Sequence, residues 1–205
     1  MVIHVCRLWI FVALALTCTL RAQQAPRVSQ LQPSLSQCVD ASKVERIRVT
    51  FDRGMDQRSF SFCGGGETFP KTKGKPVWID DRTIELPVEL LPDRDYQVGL
   101  NSDTARGFRS KEGSPLSPIS WTFTTLPKEL PDPAVQVPRN VQARQRLLQA
   151  IDAHYSHRDR RVHDWGQLTA QHAAAMDAAP TDRAWVAAAI RLLAPAEDLH
   201  LWFRF

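Results

Sequence analysis

The stretch Val44-Glu45-Arg46-Ile47-Arg48-Val49-Thr50-Phe51-Asp52-Arg53-Gly54-Met55-Asp56 decides the fold class. From Arg46 to Phe51 polar and apolar residues alternate strictly. β-Branched Ile47 and Val49 and aromatic Phe51 therefore fall on one face, as a half-buried strand requires. The acidic, Gly-containing segment that follows predicts a turn.

Outward from this strand, short β-like runs recur between turn residues: Arg27 to Leu31, Ser59 to Cys63, Pro76 to Ile79, Thr83 to Val88, Tyr96 to Leu100 and Ile119 to Thr124. Asp80-Asp81 joins two of them as a hairpin turn. Tyr96, Val98 and Leu100 share a face, and Ile119, Trp121 and Phe123 repeat the pattern. Seven strands without helical periodicity predict an antiparallel β-sandwich.

The chain has 205 residues, 43% apolar and 23% charged, a globular composition with room for two short domains. Its formal charge of +4 includes Arg7 and Arg21, which flank the apolar run Leu8 to Leu16. That run falls short of the about 20 residues that span a bilayer, and small and polar residues follow it. It is read as a signal peptide over residues 1–22, cleaved after Ala22, which predicts a secreted, periplasmic or cell-envelope protein. Acylation of Cys18 is the alternative, and the mature chain carries no predicted transmembrane span. The remaining charge is only weakly basic and mixed in sign, which argues against nucleic acid as a partner.

Export leaves Cys38 and Cys63 where thiols can oxidise. A disulfide between them would close a loop of about 25 residues and add roughly 3 kcal/mol on the chain-entropy model. Two unpaired core cysteines are the competing expectation.

Residues 127–138 carry four prolines, Pro127, Pro131, Pro133 and Pro138, and predict an extended linker. Alanine then becomes abundant and arginine replaces lysine. Asn140 is placed to cap a helix with Leu148, Ile151 and Tyr155 at helical spacing. Asp164 caps a second with Trp165, Leu168 and His172 on one side, and Thr181 a third. The third helix is apolar over more than half its circumference, which predicts that it is packed between partners. Leu201-Trp202-Phe203-Arg204-Phe205 read as the start of a buried strand whose partner lies in a missing domain or another protein.

Two families are resembled. Pro26-Arg27-Val28, Ile47 to Asp56, Leu91 to Leu100 and the closing Ser120-Trp121-Thr122-Phe123-Thr124-Thr125 resemble the bacterial Ig-like domain of the S-layer SbsA type over about residues 25–126. Such domains are usually spacers or binding modules on exported proteins, and the resemblance implies no catalytic residues. Tyr155, Asp164-Trp165, Ile190-Arg191-Leu192-Leu193 and Asp198-Leu199-His200 resemble the N-terminal helical portion of S41 tail-specific, tricorn-like serine peptidases over residues 139–205, with Leu199 where a glycine is common. That resemblance implies His200 as general base and Asp198 as its support.

A base alone performs no acyl transfer, and the nucleophile is absent. Ser156 is the only serine after the linker and has no Gly-x-Ser-x-Gly context. Gly64-Gly65-Gly66 lacks the following Lys-Ser/Thr of a phosphate loop and is read as a mobile turn. Asp52, Asp56, Asp80 and Asp81 lack calcium-loop spacing. His154, His157 and His163, with Asp159 and Asp164, are crowded by Arg158, Arg160 and Arg161, so they read as a solvated helix end rather than zinc ligands. No metal or cofactor is predicted. The expected function is an exported Ig-like module that tethers or positions an S41-like peptidase and is inactive alone. The alternative is a non-enzymatic envelope or extracellular protein with a protein or peptide ligand.

Overall fold

The computed structural model describes residues 24–157 and 160–198. The signal-peptide stretch, Cys18, Arg158, Asp159, Leu199, His200 and the Leu201–Phe205 tail lie outside the described residues.

Among the described residues, nine strands precede three α-helices. One sheet contains β1 (Val28–Gln32), β3 (Arg46–Phe51), β5 (Lys71–Thr72), β6 (Val77–Trp78) and β7 (Thr83–Glu89). The other contains β2 (Gln37–Val39), β4 (Phe62–Cys63), β8 (Asp95–Leu100) and β9 (Ile119–Thr125). The first runs β1-β3-β7-β5, with β6 also on β7, and the second runs β2-β9-β8-β4. Register follows the alternation seen in the sequence. Ile47 faces Leu86 and Val49 faces Ile84 across β3 and β7, while Tyr96 faces Phe123 and Val98 faces Trp121 across β8 and β9. All eight side chains point into one core between the sheets, where Phe51, Phe108 and Leu100 join them. Burying each such side chain stabilises by about 1.5–3 kcal/mol relative to leaving it in water.

On the opposite face of β3, Arg46 and Arg48 both bind the Glu85 carboxylate of β7. Arg46 Nη1 lies 2.9 Å from Oε2 and Arg48 Nε 2.9 Å from Oε1. These guanidiniums hold Glu85 below its ordinary pKa and compensate for its burial.

Two departures concern pairing. The short strands β2 and β5 lie where no strand is predicted, and β2 runs parallel to β9, so the sandwich is not wholly antiparallel. Cys38 and Cys63 are both free. They occupy the opposite edge strands of one four-stranded sheet, three strand spacings of about 4.8 Å apart, well beyond the roughly 7 Å Cα separation that a disulfide spans. The predicted bridge is therefore not formed.

The first helix, α1 (Pro133–His154), begins inside the stretch predicted to be linker. Asp132, not Asn140, caps it: Asp132 Oδ1 accepts the Ala134 amide at 2.9 Å, and Pro133 occupies the first helical position, where its missing N–H costs nothing. Pro138 is accommodated within the helix. Asn140 instead lies buried two turns in, and its Nδ2 donates to the carbonyls of Asp177 at 3.0 Å and Ala179 at 2.8 Å. It thereby satisfies open carbonyls at the end of α2 (Trp165–Asp177). Arg144 adds a two-pronged ion pair to Asp177, both contacts at 2.8 Å.

The other predicted caps are present. Asp164 Oδ1 accepts the Gln167 amide at 2.8 Å, and Thr181 Oγ1 accepts that of Ala184 at 3.1 Å at the start of α3 (Asp182–Leu193). As its apolar circumference predicts, α3 is packed between partners. Trp185, Ala188, Ala189 and Leu192 form a core with Met176 of α2 and Leu147 of α1, while Cys38 of β2 and Leu126 close its sheet side. Arg191 Nη1 donates to the Ser36 carbonyl at 2.9 Å, and Arg183 lies 3.3 Å from Asp93 and 3.6 Å from Asp95. No helix among the described residues is long and apolar enough to cross a membrane.

Candidate functional site

The chemistry-bearing residues of the helical part meet where α1 ends, α2 begins and the chain leaves α3. Beyond α1, the amide of Tyr155 closes onto the Ile151 carbonyl at 3.1 Å, and its ring turns back toward the small core of Ile151, Val162, Trp165 and Ala196. The Tyr155 and Trp165 rings are perpendicular with centroids 6.1 Å apart, an edge-to-face contact that suits the ring quadrupoles. After α3, a 3-10 turn over Ala194–Ala196 brings the chain back against this core, and Glu197 adopts a left-handed φ of +46°.

That turn delivers Asp198. Its carboxylate is largely buried, with 13% of the side chain exposed, and Oδ2 accepts the Tyr155 hydroxyl at 2.7 Å. His157 Nδ1 lies 3.2 Å from the same oxygen, and Arg161 pairs with Glu197 alongside. Burial pushes the Tyr155 phenol above its ordinary pKa, and the Asp198 carboxylate adds to the effect. The arrangement places a carboxylate between a phenol and an imidazole, which is an orienting device. Ser156, the nearest serine in sequence, is exposed at the helix end and makes no hydrogen bond to this cluster among the described residues.

Sequence reasoning singled out Asp198 and Tyr155 but did not join them, and it set His157 among the solvated histidines. Proximity in sequence gives no hint, since 41 residues separate His157 from Asp198. His154 and His163 are exposed, and His200 lies outside the described residues.

The remaining sequence candidates are dispersed. Asp52 pairs with Arg53 and accepts the Arg27 amide, and Asp56 pairs with Arg58. Both carboxyls are held down to about 2, chiefly by those arginine hydrogen bonds. Asp80 Oδ1 accepts the Arg82 amide at 2.7 Å inside the β6–β7 turn, and Asp81 pairs with Lys111 at 2.9 Å. Each is thus committed to a separate local partner. Gly64 has a φ of +144°, and a Cβ there would come within 2.4 Å of the Phe69 ring, so this glycine is set by a tight turn onto an aromatic side chain. A 3-10 turn follows at Gly66–Thr68 rather than the α-helix that would present amides to a phosphate.

One feature has no counterpart in the sequence reading. The outward residues of β8 and β9, Gln97, Thr122 and Thr124, face Val186 and Ile190 of α3 across a cleft of about 690 Å³. The alternation that buries Tyr96, Val98, Trp121 and Phe123 places the polar set on this face. The helix that makes the second wall is the one predicted after Thr181, but strand periodicity does not tell that it lies against this face.

No family model matches the chain, and no curated protein does. Among solved structures, CopC from Methylosinus trichosporium OB3b is similar at 20% identity, over 52% of this chain and 99% of that one, with a TM-score of 0.37. The S-layer protein rSbsC(31-844) is similar at 20% identity, over 53% of this chain and 14% of that one, with a TM-score of 0.34. An L,D-transpeptidase from Mycobacterium smegmatis is similar at 12% identity, over 49% of this chain and 40% of that one, with a TM-score of 0.30. All three are distant likenesses.

Proposed function

We propose that this chain is a non-catalytic module of an exported protein, in which an Ig-like β-sandwich carries and orients a helical unit of an S41-like serine peptidase. One observation supports this reading above the others. Tyr155, Asp164-Trp165 and Asp198, three separate stretches on which the peptidase resemblance rests, converge at one end of the helical part. Tyr155 donates to Asp198 at 2.7 Å and meets the Trp165 ring at 6.1 Å, while Asp164 caps the helix that Trp165 opens.

On this reading His200 is the general base and Asp198 its support, and the nucleophile and oxyanion donors come from a further domain or partner. The chain alone is inactive. The apolar run Leu8 to Leu16, read as a signal peptide, supports export. The ion pairs and apolar contacts that fix α3 to the sheet make the sandwich a rigid handle for the helices.

The cleft between α3 and the sheet favours a second reading, a binding module without a peptidase. One experiment separates the two. A photo-crosslinking residue at exposed position 163, introduced in cells that make the protein, is expected to capture a serine-peptidase domain on the same or another polypeptide. Capture of non-peptidase partners alone would leave the binding module in front. The purified chain is expected to give no labelling with a fluorophosphonate and no peptide hydrolysis.

A further inference from the structure

We propose that the trough between α3 and the outer face of β8 and β9 binds an extended polypeptide segment of a partner, with basic side chains at its two ends and an apolar one between them. The proposal rests on the second reading above only in taking this face as a binding surface.

The cleft against α3 does not end at Gln97. A second cavity of about 640 Å³ adjoins it, and Gln97 of β8 and Thr68 of the Gly66–Thr68 turn line both. Together they follow β8 from Asp95 to Asn101, six residue steps that at about 3.3 Å each make a trough about 20 Å long.

Its floor is neutral and able to hydrogen-bond. Gln97 Nε2 donates to Ser120 Oγ at 3.0 Å, the Thr122 hydroxyl has no hydrogen-bond partner among the described residues, and at Gly99 no side chain stands on the floor. One wall is apolar, with Val186 and the 39% exposed Ile190 of α3. Both edges of β8 and of β9 are already paired, so an occupant lies across the face and is held by side chains rather than added as a strand. The lining aromatic residues, Tyr96 and Phe123, turn their rings into the core, which leaves a sugar no ring to stack on. Main-chain amides of an extended peptide, by contrast, suit hydroxyl and carboxamide groups that both donate and accept.

Charge narrows the occupant further. The charged residues lining the two cavities are Asp95, Asp103, Asp182 and Arg183, three carboxylates to one guanidinium in a chain whose formal charge is +4. Asp182 is engaged by Gln136 Nε2 at 2.8 Å and Arg139 Nη2 at 3.2 Å. The Asp95 carboxylate is 65% exposed, with Arg183 Nε 3.6 Å away and no hydrogen bond among the described residues. That of Asp103 has neither a hydrogen bond nor an ion pair there. One stands at the first residue of β8 and the other just beyond its end, so each end of the trough attracts a cation and repels an acidic segment. An extended partner covers that span in about six residues, which sets the spacing of its basic side chains.

Peptide display tests this. A library of random twelve-residue peptides is panned against the purified full chain, and the enriched sequences are expected to carry Lys or Arg about six positions apart with an aliphatic residue between. Synthetic copies are expected to lose about threefold in affinity to each of Asp95→Asn and Asp103→Asn, as exposed ion pairs do, and to weaken as salt is raised from about 50 to 500 mM. Thr122→Trp fills the floor without changing charge and is expected to weaken binding by at least about tenfold. Circular dichroism checks that each variant is folded, and Asp103→Asn, away from the attachment of α3, keeps the charge test in force if Asp95→Asn loosens the helix. Enriched acidic or uncharged sequences that Thr122→Trp still blocks would overturn the basic peptide and leave the cleft a binding surface. No enrichment, or binders indifferent to Thr122→Trp, would overturn both. Crosslinking from position 163 reports on the peptidase reading separately from either result.

Discussion

Asn101 binds both backbone groups of Phe108: its Oδ1 accepts the Phe108 amide at 2.9 Å while its Nδ2 donates to the Phe108 carbonyl at 2.8 Å. The same Nδ2 reaches the Leu116 carbonyl at 2.9 Å, so one buried side chain replaces a missing strand partner for the loop between β8 and β9. Asn101 itself has a φ of +60°, a region that asparagine tolerates better than most residues. Asn101→Ala removes the partner of the Phe108 amide and of the Leu116 carbonyl, while the Phe108 carbonyl keeps the Leu116 amide at 2.9 Å, and is expected to destabilise the β part by about 2–4 kcal/mol, read from the urea midpoint. Asn101→Asp keeps the acceptor but loses both donors, and at neutral pH should cost as much.

In the helical part the corresponding residue is Asn140. Its Nδ2 holds the carbonyls of Asp177 and Ala179, its Oδ1 accepts Gln136 Nε2 at 2.9 Å, and its own backbone carbonyl accepts the Trp185 indole N–H at 3.2 Å. Asn140→Ala is expected to cost about 2–3 kcal/mol of helical stability and to release hydrogen-exchange protection at the end of α2 first. Protection in β3 and β7 staying at its wild-type level would confirm that the damage is confined to the helices.

Acid should weaken the turn after β3. Asp52 and Asp56 have carboxyls held at about 2, below their unfolded values, so their contribution is complete above the usual carboxylate range and disappears as pH falls through about 2. The melting temperature of Asp52→Asn is expected to lie below that of the wild type at pH 5, with the gap closing toward pH 2. A gap that persists unchanged at pH 2 would show that the aspartate acts through shape rather than charge.

Attachment of α3 to the sheet is set by Arg191 on Ser36 and by Arg183 beside Asp93 and Asp95. Arg191→Ala should loosen that attachment by about 1 kcal/mol, since it removes a charged hydrogen bond to a carbonyl that water can reach. Together with Arg183→Ala, the change is expected to split a single thermal transition into two, measured by calorimetry.

Period-two patterning made the sandwich legible, because Ile47, Val49 and Phe51, and likewise Tyr96, Val98 and Leu100, are long enough runs for alternation to be unambiguous. Gln37-Cys38-Val39 is three residues with no alternation to read, and its parallel partner lies at the far end of the β part. The start of α1 was hidden because Pro133 and Pro138 were read as breakers, whereas a proline behind an Asp cap is an ordinary first helical residue. Asp164 and Thr181 were recoverable because each stands directly before an apolar periodic run. The meeting of Tyr155, His157 and Asp198 depends on how three helices close around Trp165, and no local spacing encodes that.

The parallel pairing of β2 with β9 also bears on how the molecule is made. Gln37 to Val39 emerges early in synthesis and Phe123 to Thr125 only at the end of the β part, so their ladder spans more sequence than β3–β7 or β4–β8. Such a distant closure carries the largest chain-entropy cost in the sheet and forms late. Cys38 and Leu126, the apolar footing of α3, sit on this seam. The helices therefore have no floor to settle on until the last strand has been laid, which orders assembly from sandwich to helical part.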